Sequence, residues 1–113
     1  MGNVFQVDGG EFGRIVASSI RSGLSKSIGL KCCEAVVTHF LRESGLKRLE
    51  DVVECPEKFE EFMGNLFGKG SVLLLNRIGY ELCQRLGFDG SLSCDGGFAS
   101  LVHCLEQTFV NSV

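Results

Sequence analysis

Gly68–Leu86, GKGSVLLLNRIGYELCQRL, decides the fold. It holds the longest apolar run of the chain and is entered through a lysine set between two glycines. On a 3.6-residue period Val72, Leu75, Ile78, Leu82, Cys83 and Leu86 share one stripe, with Asn76, Arg77, Glu81, Gln84 and Arg85 opposite. Leu73 and Leu74 widen the apolar face in the first turns, which predicts contact on more than one side. Such a helix persists in water only by burying that face. The flanking segments therefore read as the elements that cover it.

Upstream, Asp8-Gly9-Gly10 reads as a helix entry, followed by an apolar stripe of Phe12, Ile15, Val16, Ser19, Ile20 and Leu24. This first helix is expected to fray by Gly23, with Leu24 to Ser27 as linker and Lys26 without a partner. A second helix is expected from about Ile28 to Ser44, stopped by Gly45 and buried through Leu30, Cys33, Val36, Val37, Phe40 and Leu41. Leu46 to Cys55 is a charged connection whose Leu49, Val52 and Val53 suit a short turn against the core. Pro56 fits the first position of a third helix, with Phe59, Phe62, Met63, Leu66 and Phe67 as its stripe. The short Gly68–Gly70 connection predicts an αα-hairpin with the helix that follows. After Gly87 comes a Gly/Ser/Asp-rich loop, and Asp95-Gly96-Gly97 then opens a final helix carrying Phe98, Leu101, Val102, Leu105 and Phe109. The expected fold is all-α: one domain over residues 1–113, with about five helices packed around the central apolar helix 68–86.

Composition narrows the function. The chain has 113 residues, 44% hydrophobic and 22% charged, which is the balance of a globular protein with a genuine core. A net charge of −3 with scattered basic residues does not favour nucleic acid as a partner. The opening MGNVFQVDGGEF has neither a cationic region nor an apolar core of the secretory type, and Gln6 breaks the myristoylation pattern that Met-Gly begins. Val72–Leu75 is too short to cross a bilayer, so no membrane role is expected. The expected location is cytoplasmic.

Six cysteines make the chain cysteine-rich for its length. Cys33 and Cys83 lie on apolar stripes, where a thiol behaves as a small hydrophobe. Cys32, Cys33, Cys55 and Cys94 are the candidates for thiol chemistry, either a disulfide or a redox role. No C-x-x-C occurs.

The remaining chemistry is sparse. Gly64-Asn-Leu-Phe-Gly68-Lys69-Gly70-Ser71 has a superficial likeness to a phosphate-binding loop. It has one residue too few between the glycines, glycine rather than Ser or Thr after the lysine, and a helix in front of it. What survives is a candidate anion site at Gly68, Lys69, Gly70 and Ser71, where a helix start offers free N–H groups. The alternative is that these glycines simply permit a tight turn. His39 and Glu43, one helical turn apart, form the best candidate metal pair. Cys32 lies about 10 Å along the axis from His39, too far to share the ion. No catalytic acid–base set and no G-x-S-x-G is present, no carboxylate falls within an apolar stripe, and no cofactor is implied. Arg77, Glu81 and Arg85 read as a solvated i, i+4 ladder.

Residues 28–88 resemble a small all-helical archaeal domain, the Nitrosopumilus output domain type. The likeness is carried by IGLKCCEAVVTHFLRESGL, a charged linker, then PEKFEEFMGNLFGKGSVLLL and a long apolar helix ending QRLGF. Its most specific part is Phe-x-x-Phe-Met-x-x-Leu-Phe-Gly-x-Gly from Phe59 to Gly70. It spans about half the chain and implies a helical module that passes signals or assembles with partners. It supplies no catalytic residues.

These readings converge on a non-enzymatic helical interaction or signalling module that associates with itself as a homodimer. Apolar stripes, together with five phenylalanines from Phe59 to Phe98, exceed what a short bundle hides. Two alternatives stand beside it: a small-ligand or anion-binding domain using Gly68–Ser71, and a thiol-dependent redox or metal protein.

Overall fold

In the computed structural model, which describes residues 9–87 and 97–111, with side chains described for 11–87 and 97–107, the chain is all-α. Five helices are present among the described residues: α1 (Gly9–Ile28), α2 (Leu30–Ser44), α3 (Pro56–Phe67), α4 (Ser71–Arg85) and α5 (Phe98–Asn111). One 3-10 segment, Leu49–Glu54, lies between α2 and α3, and another, Gly68–Gly70, joins α3 directly to α4.

α4 packs against α1, α3 and α5, as a central element must, and α1 in turn covers α2 and the Leu49–Glu54 turn. The α1–α4 pair is the backbone of the bundle. Phe12, Val16, Ile20 and Leu24 recur every four residues along α1 and are fully buried. They meet Leu75, Ile78, Leu82 and Cys83 of α4 in one core. Ser22 and Lys26 reach Glu81, while Arg14 and Ser18 flank Arg85, so the two helices run antiparallel.

α1 does not fray at Gly23; it continues five residues further, to Ile28. Glycine in a helix interior costs about 1 kcal/mol relative to alanine, but here it allows close approach. A Cβ at Gly23 would stand 2.9 Å from Ile78 Cγ1 and 3.0 Å from Ile78 Cα. Leu24, expected in a linker, is fully buried, and Lys26 is paired. Packing at this crossing outweighs the local preference.

α2 stops where expected. Gly45 takes a left-handed conformation (φ 79°), and its N–H bonds to Leu41 O. Pro56 opens α3 at its first turn. Aromatic rings then tie three helices together: Phe40 of α2 meets Phe59 of α3 edge-on at 5.1 Å, and Phe59 meets Phe98 of α5 at 5.5 Å. Leu30 and Leu66, expected on buried stripes, face solvent, as do Val72 and Leu73 of α4. α4 thus meets other helices on more than one side, through α1, α3 and α5, while the strip carrying Val72, Leu73 and Tyr80 stays open to solvent. The helix-entry residues Asp8 and Asp95, the loop residue Phe88 and the thiol candidate Cys94 lie outside the described residues.

Candidate functional site

The first site to build is the α1–α4 seam, because it holds a buried carboxylate. Glu81 sits on the second turn from the end of α4, at the edge of the apolar stripe, with its side chain only 10% exposed. Ser22 Oγ donates to Glu81 Oε1 at 3.1 Å and Lys26 Nζ donates to Oε2 at 3.0 Å. Arg77, one turn before it on α4, lies 3.8 Å from the same oxygen. The lysine hydrogen bond holds the carboxyl below its usual range, against the opposing effect of burial, and Ser22 adds to the lowering. Glu81 is therefore an ionised, satisfied anion clamped between two helices. Its place on the polar side of the helical wheel suggested a solvated ladder, and the structure corrects that reading: Ser22 and Lys26 come from a helix 59 and 55 residues away.

One antiparallel turn further on, Arg14, Ile15 and Ser18 of α1 and Arg85 of α4 line a cleft of about 320 Å³. Both arginines are exposed. At the opposite end of the seam, Ser27 of α1 and Leu73, Asn76, Arg77 and Tyr80 of α4 line a broader, open depression of about 590 Å³. This end is apolar at its margins. Val72, Leu73 and Tyr80 are 58%, 75% and 52% exposed, and Leu30, three residues after Ser27, is 66% exposed.

No family model matches the chain, and no curated protein and no solved structure matches it either. What the chain does must be argued from these surfaces.

The residues singled out from the sequence are placed as follows. Gly68, Lys69 and Gly70 are exposed, whereas Ser71 is buried. The Ser71 N–H is directed to the carbonyls of Gly68 and Lys69, so the 3-10 turn takes up this donor at the start of α4. Gly68 N–H in turn bonds to Gly64 O and closes α3, and Gly68 itself, at φ 59° and ψ −131°, breaks the helical course so that α3 and α4 pack against each other. His39 rests edge-on against Phe62, ring centres 5.3 Å apart. Glu43 lines a separate cleft of about 290 Å³ with Phe40, Ser44, Lys58, Glu61, Phe62 and Asn65. Among the described residues, no three His, Cys, Asp or Glu side chains gather where they would hold one metal ion.

The thiol candidates are dispersed. Cys32 is exposed on α2, and Cys55 is half-buried just before α3. Cys33 is buried, its Sγ donating to Arg21 O at 3.5 Å. Burial also raises the pKa of the Cys83 thiol. None of these four is in a disulfide. No described helix is long and apolar enough to cross a membrane.

Two carboxylates of α3 act on α5. Glu60 Oε1 accepts the Ala99 N–H at 2.9 Å, so an acid from another helix caps the start of α5. Gly97 suits this entry because its φ of 90° is one that L side chains rarely adopt, and a Cβ there would also displace the Glu60 carboxylate, 2.8 Å from Oε2. His103 lies 2.9 Å from Glu57, and this bond lowers the Glu57 pKa. The sequence signal for both was the cluster of acids on α3, which its own helix leaves without partners.

Proposed function

We propose that this chain is a non-enzymatic helical interaction module that pairs with a second copy of itself through the outer face of α4. The observation that carries the reading is the row of solvent-facing apolar side chains at one end of the α1–α4 seam, Val72, Leu73, Tyr80 and Leu30. Large apolar side chains exposed together on a small protein point to an interface, and Leu73 and Tyr80 share one depression.

The spacing along α4 favours self-association. Leu73, Asn76, Arg77 and Tyr80 lie at i, i+3, i+4 and i+7, a pattern symmetric about the midpoint between Asn76 and Arg77. A two-fold axis through that point sets Leu73 of one copy against Tyr80 of the other. It also sets Asn76 against Arg77, as an isologous interface requires. No arginine then faces an arginine, and each Arg77 charge is already shared with Glu81. The reading agrees with the resemblance of residues 28–88 to an archaeal output domain, which implies a module that assembles with partners.

Size-exclusion chromatography with light scattering tests it. The expected wild-type mass is twice that of one chain, with or without reductant, and Leu73→Glu is expected to halve it. A wild-type monomer overturns the reading. A dimer that disappears on reduction also overturns it, by assigning the contact to a thiol such as the exposed Cys32.

A further inference from the structure

The other end of the same seam carries a second, independent feature. Arg14 and Arg85 come from antiparallel helices and line one cleft together with Ser18 and the half-buried Ile15. Neither guanidinium forms an ion pair among the described residues. The nearest acid on α4 is Glu81, one turn before Arg85, and it is already engaged by Lys26, Ser22 and Arg77. Glu11, one turn earlier on α1, pairs with neither arginine. Two arginines on one cleft raise the positive potential there and favour an anion. In a chain of net charge −3 this local excess of positive charge stands out.

The donor set defines the anion. Arginine presents a planar fork that matches carboxylate or phosphate oxygens two at a time. Two such forks and a hydroxyl supply more donors than a planar carboxylate accepts in one plane, and they suit a tetrahedral group. Two positive charges balance a phosphomonoester, which carries about −1.5 to −2 at neutral pH. Ile15 offers an apolar surface beside the charges, on which the organic part of an ester can rest. We propose that the Arg14–Ser18–Arg85 cleft binds a phosphomonoester group. The site is remote in kind and position from the apolar end of the seam, and it does not depend on dimerisation.

The test is an NMR titration of the full chain with inorganic phosphate and with phenyl phosphate, against sodium chloride of equal ionic strength. Saturable shifts are expected for the Arg14–Ser18 amides and at Arg85, with no such saturation in chloride. Arg14→Gln and Arg85→Gln, both at exposed positions, are each expected to weaken binding by about tenfold or more while leaving the unliganded spectrum of the core unchanged. Tighter binding of phenyl phosphate identifies an organic ester as the ligand, and equal binding identifies free phosphate. Shifts that fail to saturate, that chloride reproduces, or that survive in both variants overturn the proposal.

Discussion

One substitution made at three glycines gives three different outcomes if the helix crossings are as described. Glycine to alanine inside a helix is favourable by about 1 kcal/mol on propensity alone. At Gly64 of α3 an added Cβ meets nothing within 4 Å, so Gly64→Ala is expected to stabilise the protein by about 1 kcal/mol. At Gly79 of α4 the only close atom is Leu101 Cδ2 at 2.9 Å. This is the tip of a half-buried side chain, and turning it aside costs about 0.5–1.5 kcal/mol. The Gly79→Ala change should therefore fall near zero. At Gly23 the Cβ meets Ile78 Cγ1 at 2.9 Å, but also Ile78 Cα at 3.0 Å and N at 3.2 Å. No rotamer moves backbone atoms away, so the helices themselves must part, at the upper end of the 1–3 kcal/mol range for overpacking. Net of propensity, Gly23→Ala is expected to destabilise by about 2 kcal/mol. Equilibrium urea unfolding followed by far-UV circular dichroism, at one protein concentration for all variants, measures the series. A Gly23→Ala protein as stable as wild type would refute the α1–α4 crossing described above, whatever the other two variants do.

Two further outcomes follow from the charges and thiols. Glu81→Gln is expected to destabilise by about 1–2 kcal/mol at neutral pH, since it weakens the bonds from Ser22 and Lys26, the lysine remaining half in solvent. Because the folded carboxyl ionises below its ordinary value, its contribution is complete above the unfolded pKa of about 4.3 and is lost as pH falls through the folded pKa. Unfolding of both proteins across an acid series should show the gap closing there, and a gap independent of pH would count against the pairing. Labelling with a thiol-specific reagent is expected to modify exposed Cys32 first, with Cys33 and Cys83 protected until unfolding. Early modification of Cys83 would contradict its burial and the raised pKa of its thiol.

Residues that act locally were legible in the sequence. Gly45 stops α2 and Pro56 opens α3 because each sets its own backbone, whatever surrounds it. The core stripe of α1 was legible for the same reason, since a four-residue spacing of Phe12, Val16, Ile20 and Leu24 leaves little choice of face. Gly23 was misleading, because propensity describes an isolated helix, whereas its effect here comes from Ile78 on another one. Val72 and Leu73 were misleading too: an apolar residue is expected inside, yet a folded surface is itself largely apolar. Glu81 was out of reach for a different reason. Its i, i+4 relation to Arg77 and Arg85 is genuine, but its lysine and serine come from a helix more than fifty residues away. Only the relative placement of two helices reveals that.

The buried acid has a structural consequence that its modest energy does not convey. A seam built only of leucine, isoleucine and valine tolerates sliding, because such side chains replace one another at little cost. Consider α4 displaced by one turn, about 5.4 Å, toward the start of α1. Glu81 would then lie between Ser18 and Ser22, parted from Lys26 and left with only Arg77 of its own helix, 3.8 Å away, and Ile78 would face Ser19 instead of the notch at Gly23. Displaced the other way, Glu81 would lie between Lys26 and Leu30, beyond the end of α1 at Ile28. Both neighbouring registers strand a charge or lose a fit, and a carboxylate left half-buried without its partner costs more than the paired one contributes. The Gly23–Ile78 contact and the Ser22–Lys26–Glu81 clamp lie within one turn of each other and select the same register by different physics, one steric and one electrostatic. That register is what sets Arg14 across from Arg85 at one end of the seam and turns Leu73 and Tyr80 outward at the other. Both proposed surfaces depend on an acid that takes part in neither.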